Sequence, residues 1–242
     1  MYHSVIFGSK NSYADWHLVP DSRPLVVMPE PKTMMVEVPG ANGVLDLSES
    51  LTKYPIYSNR EGSFNFHVLS GYENWHVLYN KIATYLHGKV RNVILEDDPN
   101  FYYVGRHRVE WISNNDGSGS DVNISYVYEP YKYYKYLSTQ EAPSKYSNIS
   151  NTGTVTKTFT GDPTLGDVPV IPKLIVSNVS NTFKLTLNNS ELGISNLVKT
   201  FSQSTTATYY DFVLSNISGN NPLTIKMEGT GTVSIEFRRA SL

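Results

Sequence analysis

The chain has 242 residues, a net charge of −2 and 40% hydrophobic residues, enough apolar material to close one large core or two modest ones. Twenty basic side chains against 22 acidic ones leave no surplus to drive binding to a phosphate backbone, so nucleic acid is not an expected partner. With no cysteine, disulfide frameworks, thiolate metal sites and cysteine nucleophiles are all excluded.

The start, Met1-Tyr2-His3-Ser4-Val5-Ile6-Phe7-Gly8, has no charged n-region, and no apolar run approaches the ~18 residues of a membrane span. Neither a signal peptide nor a membrane segment is expected. Gly8-Ser9-Lys10 has the end of a phosphate-binding loop without its upstream glycine. Met34, Val36 and Val38 alternate before Pro39-Gly40-Ala41-Asn42-Gly43, and Leu45 and Leu47 resume the pattern, which predicts an extended hairpin with Asn42-Gly43 in its turn. Phe64, Phe66 and Val68 alternate with polar residues as a half-buried strand does.

Trp75, Leu78, Tyr79, Ile82, Tyr85 and Leu86 recur at the three-four spacing of a helix face, and Gly88 is its C-terminal cap. Trp75, Leu78, Ile82 and Leu86 are expected inside, with Glu73, Asn74, Lys81 and Thr84 outward. Strands follow at 90–95, 101–104, 109–112 and 122–128, with a turn at Asp97-Asp98-Pro99-Asn100 and a polar loop from Asn114 to Gly119. One helix among so many strands predicts a β-sandwich or rolled sheet with a packed helix.

Composition then changes. All three Trp and all six His precede residue 108 or stand at Trp111, whereas Ser, Thr and Asn make up 40 of the 105 residues 138–242. The break predicts two domains, 1–136 and 137–242, joined near the polar Ser138-Thr139-Gln140-Glu141-Ala142-Pro143-Ser144. In the second, Phe183/Leu185/Leu187, Tyr210/Phe212/Leu214, Leu223/Ile225/Met227 and Val233/Ile235/Phe237 each line one strand face, with Gly229-Thr230-Gly231 as the turn between the last two. The expected fold is mainly β: a β-sandwich or rolled sheet with one packed helix and an extended hairpin, then an antiparallel β-sandwich.

Little chemistry is legible. Glu96, Asp97 and Asp98 could ligate calcium but read first as an exposed turn, and 114–121 lacks the glutamate that a calcium loop requires. His3, His17, His67, His76, His87 and His107 have no metal-ligand spacing. Arg106-His107-Arg108 reads as a strand edge paired with acids. Tyr126, Tyr128, Tyr131, Tyr133, Tyr134 and Tyr136 could stack on sugar or a partner, or simply fill a seam. No nucleophile elbow or hydrolase carboxylate pair is present, so no enzyme, no cofactor and no metal are expected.

Several segments in a fixed order carry a resemblance. They are Ser12-Tyr13-Ala14-Asp15-Trp16-His17-Leu18-Val19-Pro20, Val36-Glu37-Val38-Pro39-Gly40-Ala41-Asn42-Gly43, Leu45-Asp46-Leu47-Ser48-Glu49 and Arg60-Glu61-Gly62-Ser63-Phe64. Trp75-His76-Val77-Leu78-Tyr79, Leu95-Glu96-Asp97-Asp98-Pro99 and Glu129-Pro130-Tyr131-Lys132-Tyr133 complete them, with the closing Gly231-Thr232-Val233-Ser234-Ile235-Glu236-Phe237. In these the chain resembles the distal tail protein (Dit) family of long-tailed phages infecting Gram-positive bacteria.

The resemblance implies a virion structural protein at the tail tip, made in the host cytoplasm. It implies a hexameric ring of N-terminal domains that joins the tail tube protein on one face and the tail-associated tip or fibre protein on the other. The C-terminal domain would be a galectin-like sandwich directed outward, toward receptor-binding proteins or host cell-wall glycan. Within this picture the candidate ring-interface hairpin comprises Val36, Val38, Asn42, Gly43 and Leu45. The alternative function is a carbohydrate-binding host-adhesion module acting through the C-terminal sandwich.

Overall fold

A computed structural model describes residues 3–69, 75–113, 119–135, 144–159, 168–215 and 223–242. The expected loop at 114–118, the joint at 136–143, Tyr136, Glu73 and Asn74 lie outside the described residues. The chain divides into two compact units, one formed by residues 1–32, 57–137 and 242, the other by 33–56 and 138–241. Strands dominate both.

The first unit contains β1 (Val5–Phe7), β2 (Lys10–Asn11) and β3 (Leu18–Pro20); residues 33–56 then carry β4 (Met35–Glu37) and β5 (Val44–Asp46). The first unit resumes with β6 (Arg60–Val68), α1 (Trp75–Leu86), β7 (Val90–Leu95), β8 (Phe101–Ser113), β9 (Ser120–Tyr128) and β10 (Lys132–Tyr134). Its antiparallel sheet runs β2-β1-β7-β8-β9-β6-β3, with β10 beside the start of β8. The two end strands are consecutive in sequence, and the sheet curls until Leu18 N donates to Ser12 O at 2.9 Å. That bond takes up backbone groups that an open edge would leave to solvent or to another chain.

Alternation places Phe64, Phe66, Val109, Val122, Ile124, Tyr126 and Tyr128 inside, as period two requires. Phe7 is the centre of this core. Its ring meets Trp16 at 5.9 Å, Phe64 at 6.2 Å, Phe66 at 6.4 Å and His107 at 5.4 Å, mostly edge to face. The helix seats Ile82 and Leu86 fully in the core; Trp75 and Leu78, expected inside, are only half-buried. They lie toward its N-terminal end, where Tyr79 rests edge-on against Trp111 at 5.6 Å. Gly88 adopts φ +71°, the left-handed cap that the sequence predicts.

The second unit holds β11 (Ser144–Phe159), β12 (Lys173–Asn189), β13 (Ile194–Phe201), β14 (Thr205–Thr208), β15 (Leu223–Glu236) and β16 (Ala240–Ser241). The order β11-β15-β12-β13 is antiparallel, and β14 pairs with the opening residues of β12. Leu174, Val176, Phe183, Leu185, Leu187, Phe212, Ile225 and Val233 form one core, each at most 2% exposed.

Two expectations need correction here. Residues 223–227 and 233–237 do not form a hairpin about Gly229-Thr230-Gly231; they are two arms of one continuous strand, β15, and both pair with β12. A strand can bend there because Gly229 takes φ +94° and a Cβ at that position would lie 2.1 Å from Thr182 O. Beside it, a Cβ on Gly231 would lie 2.8 Å from the Phe183 ring. β12 bends in step, with Asn178 and Asn181 at φ +53° and +62°, and the Asn151 amide donates to Gly229 O at 2.8 Å across the bend. The second correction is that Tyr210, Phe212 and Leu214 do not share a strand face: Tyr210 is 80% exposed at a turn, while Phe212, Val213 and Leu214 are all buried.

Gly229→Ala should therefore cost on the order of 2–3 kcal/mol, from a left-handed backbone and a steric clash together. Urea unfolding of the variant checks this, and a loss below about 0.5 kcal/mol would show that the bend does not need glycine.

Candidate assembly interface

Residues 33–56 leave the first unit as an arm whose base is closed by the bridge of Pro31 with Tyr57 and by Ser58 N donating to Glu30 O at 2.8 Å. The arm is a hairpin in which Met35 faces Asp46, Val36 faces Leu45 and Glu37 faces Val44. Its loop spans residues 38–43, longer than a two-residue Asn-Gly turn. Gly40 and Gly43 supply the positive φ values, +84° and +79°, and Ala41 N donates to Val38 O. At the inner end Ser48 stitches the hairpin: its hydroxyl accepts from Met34 N at 2.8 Å and donates to Asp46 at 2.5 Å. Hydrogen bonds from the Ser48 hydroxyl and from Ser48 N hold the Asp46 carboxyl below its usual range.

No residue of the arm is buried. Met34, Met35, Val38, Val44, Leu45, Leu51 and Ile56 are all exposed, Leu51 at 95%. Of the sequence-derived interface residues, Val38, Asn42, Gly43 and Leu45 are exposed and Val36 is half-buried, and the hairpin brings all five together. Several exposed apolar side chains gathered on one hairpin are what an unmade protein contact looks like. Met35, Val44, Leu51 and Ile56 are exposed as well and escaped the sequence reading, because they stand outside its alternating pattern.

The base of the arm is organised by Arg60, which sequence reasoning also missed as a functional position. Its guanidinium is 1% exposed, donates to Pro130 O at 2.7 Å and Val27 O at 3.1 Å, and lies over the Tyr103 ring at 5.5 Å. Alternation puts Arg60 on the same strand face as Phe64 and Phe66, but a charged residue at a strand end does not by itself read as buried.

The other candidate chemistry resolves into structure. Glu96 accepts from Ser4 N at 2.6 Å, Asp97 pairs with Arg23 at 2.6 Å and His3 at 2.8 Å, and Asp98 pairs with Lys132 at 2.9 Å. Three adjacent carboxylates thus turn to separate partners. The backbone of Ser9 donates to Tyr85 OH at 3.1 Å, so Gly8-Ser9-Lys10 is the β1–β2 turn held against the helix. Arg106-His107-Arg108 is not on an edge: β8 lies between β7 and β9. Its alternation puts His107 inside, while Arg108 pairs with Glu110 and Arg106 donates to Gly88 O. Tyr126 and Tyr128 stack at 4.1 Å within the core, and Tyr134 packs on Phe101 at 4.4 Å.

His67 and His107 titrate in opposite senses. Hydrogen bonding to Asp121 at 2.5 Å raises the exposed His67, whose contribution is present below pH 6.5 and fades as pH rises through its folded pKa. Burial pushes His107 down to about 4, beside Tyr128 OH at 3.0 Å.

A mainly-β chain of two units, with curled or bent antiparallel sheets, one helix among the described residues and an inserted apolar arm, defines the class. No family model and no curated protein sequence matches this chain. Among solved structures, the chain is similar over its whole length to the whole of SPP1 Dit (gp 19.1), with a TM-score of 0.60 and 12% identity. That protein is described as a paradigm of the hub adsorption apparatus in phages that infect Gram-positive bacteria. The chain therefore has the Dit fold.

His107 yields a pH prediction. Because its folded pKa lies below its unfolded value, its stabilisation is complete above pH 6.5 and is lost as pH falls toward 4, on the order of 3 kcal/mol in all. Urea midpoints of the wild type and His107→Phe at pH 7 and pH 4 check this: the variant should lose markedly less on acidification. Equal losses would show that His107 is not the buried titrating group.

Proposed function

We propose that the protein is a distal tail hub of a phage, a structural component and not an enzyme. Six copies form a ring through residues 1–136, one face of the ring joins the tail tube protein, and the other joins the tip or fibre protein. The 137–242 domain is the outward, galectin-like part that docks receptor-binding components. The virion tail tip is its place of work, after synthesis in the host cytoplasm.

The observation that carries this reading is the arm. Seven exposed apolar side chains on a segment with no buried residue have no hydrophobic anchor of their own, and a second protein surface supplies one. The full-length likeness of fold to SPP1 Dit supports the same reading. An arm that reaches from one copy onto a different patch of the next is a head-to-tail contact, the kind that closes rings.

Light scattering at high concentration, or with tail partners added, should give six copies of the 27.2 kDa chain, about 163 kDa. The pair Val38→Asp and Leu45→Asp should abolish assembly while leaving the thermal midpoint of the chain within about 2 °C, since both residues are exposed in the single copy. A wild-type chain that stays monomeric in every condition, tail partners included, would refute the hub.

A further inference from the structure

We infer that the cationic groove along the outer side of α1 is the seat for the arm of a second copy; this rests on the ring reading above and adds the surface on which the arm lands.

The arm has a definite chemistry. Residues 33–56 carry Glu37, Asp46 and Glu49 against the single cation Lys53. The pairing of β4 with β5 puts Met35, Glu37, Val44 and Asp46 on one face, because directly opposed residues share a face of the ribbon. All four are exposed. The face is therefore apolar in body and anionic in charge, and its seat must offer cations around apolar walls.

One groove of the first unit does so. Lys10, Lys81 and Lys89 line a cavity of about 570 Å³ together with the rings of Trp16 and Tyr85. Trp16 and Tyr85 meet edge-on at 5.8 Å, and the Arg91 guanidinium lies over Tyr85 at 4.6 Å. Asp15 is engaged by Lys10 at 2.8 Å and also feels Lys81, so one carboxylate stands against the four cations Lys10, Lys81, Lys89 and Arg91. Lys89 Nζ is held by Thr84 O at 2.7 Å, and Arg91 reaches Tyr85 O at 3.4 Å. These carbonyls end the helix, so they orient the two cations without neutralising them. Val77, 69% exposed, stands one turn before Lys81 on the same side of the helix.

A larger groove, about 870 Å³, crosses β8 and β9 but does not fit the arm. Its two arginines, Arg106 and Arg108, face Glu61 and Glu129 in the same lining, and Arg108 is already paired with Glu110. Like charge there would repel the carboxylates of the arm.

The test is a charge swap in the full chain, read as mass by light scattering over a concentration series. Lys81→Glu and Glu37→Lys should each raise the concentration needed for assembly about tenfold or more, with unchanged thermal midpoints. Carrying both changes in one chain should restore assembly. So should mixing the two single variants, because each arm then meets a complementary groove on the other chain, a rescue that contact within one chain cannot produce. If the wild type assembles and Lys81→Glu assembles equally well, the groove is not the seat, although the ring stands. The groove is likewise excluded if neither the double variant nor the mixture recovers. If Lys81→Glu changes only retention on heparin, the groove holds a polyanion and the inference is overturned. A wild type that never assembles overturns the ring and the seat together.

Discussion

The guanidinium of Arg60 ties together the segments of the first unit between which residues 33–56 are inserted. It binds Val27 O on the chain entering the arm, stands in β6 where the chain returns, and binds Pro130 O where the chain leaves the curled sheet. One side chain thus gathers three passing segments. The arrangement is costly: burial lowers the pKa of Arg60, and among the described residues it has no carboxylate partner and its second terminal nitrogen no hydrogen-bond partner. What offsets the cost is the aromatic face of Tyr103 and the hydrogen bonds to two carbonyls. An apolar residue of the same volume would fill the space but would not join the segments.

With the base held, the character of the arm follows from its composition. Its backbone satisfies itself through the hairpin and the Ser48 contacts, so the arm keeps its shape without a core. Its side chains are not satisfied in the same sense, because none is buried. The hairpin is therefore preformed, and in the hub proposed above its apolar side chains meet another molecule. Preformation limits the ordering entropy lost on docking, which favours assembly from a rigid arm over assembly from a disordered one. In the curled sheet the segment between the two end strands closes on itself, with Leu18 N donating to Ser12 O.

Much of this was legible because period-two and period-3.6 patterns are local. Phe64 and Phe66, Leu185 and Leu187, Ile225 and Met227 went inside as their alternation required, and Ile82 and Leu86 marked the buried side of the helix. Alternation about a glycine-rich turn identified the hairpin and its exposed Val38 and Leu45. The failures share a cause. Gly229 inside an alternating segment reads as a turn, yet the strand continues through it, since the bend is set by the approach of Thr182 from a distant strand. Likewise Arg60 and His107 are polar residues whose burial depends on partners far along the chain, Pro130 and Tyr128. The three lysines beside α1 come from β2, the helix and the residue after its cap, and only the fold places them in one groove.

The central claim is that the apolar surface of the arm is covered by another copy. Amide hydrogen exchange of residues 35–46, followed as protein concentration rises through the assembly transition, measures that cover directly. The account predicts that exchange in this segment slows together with the appearance of the ring, while the rates within β12 and β15 stay constant. Exchange in the arm that remains as fast in the assembled ring as in the single chain would contradict it.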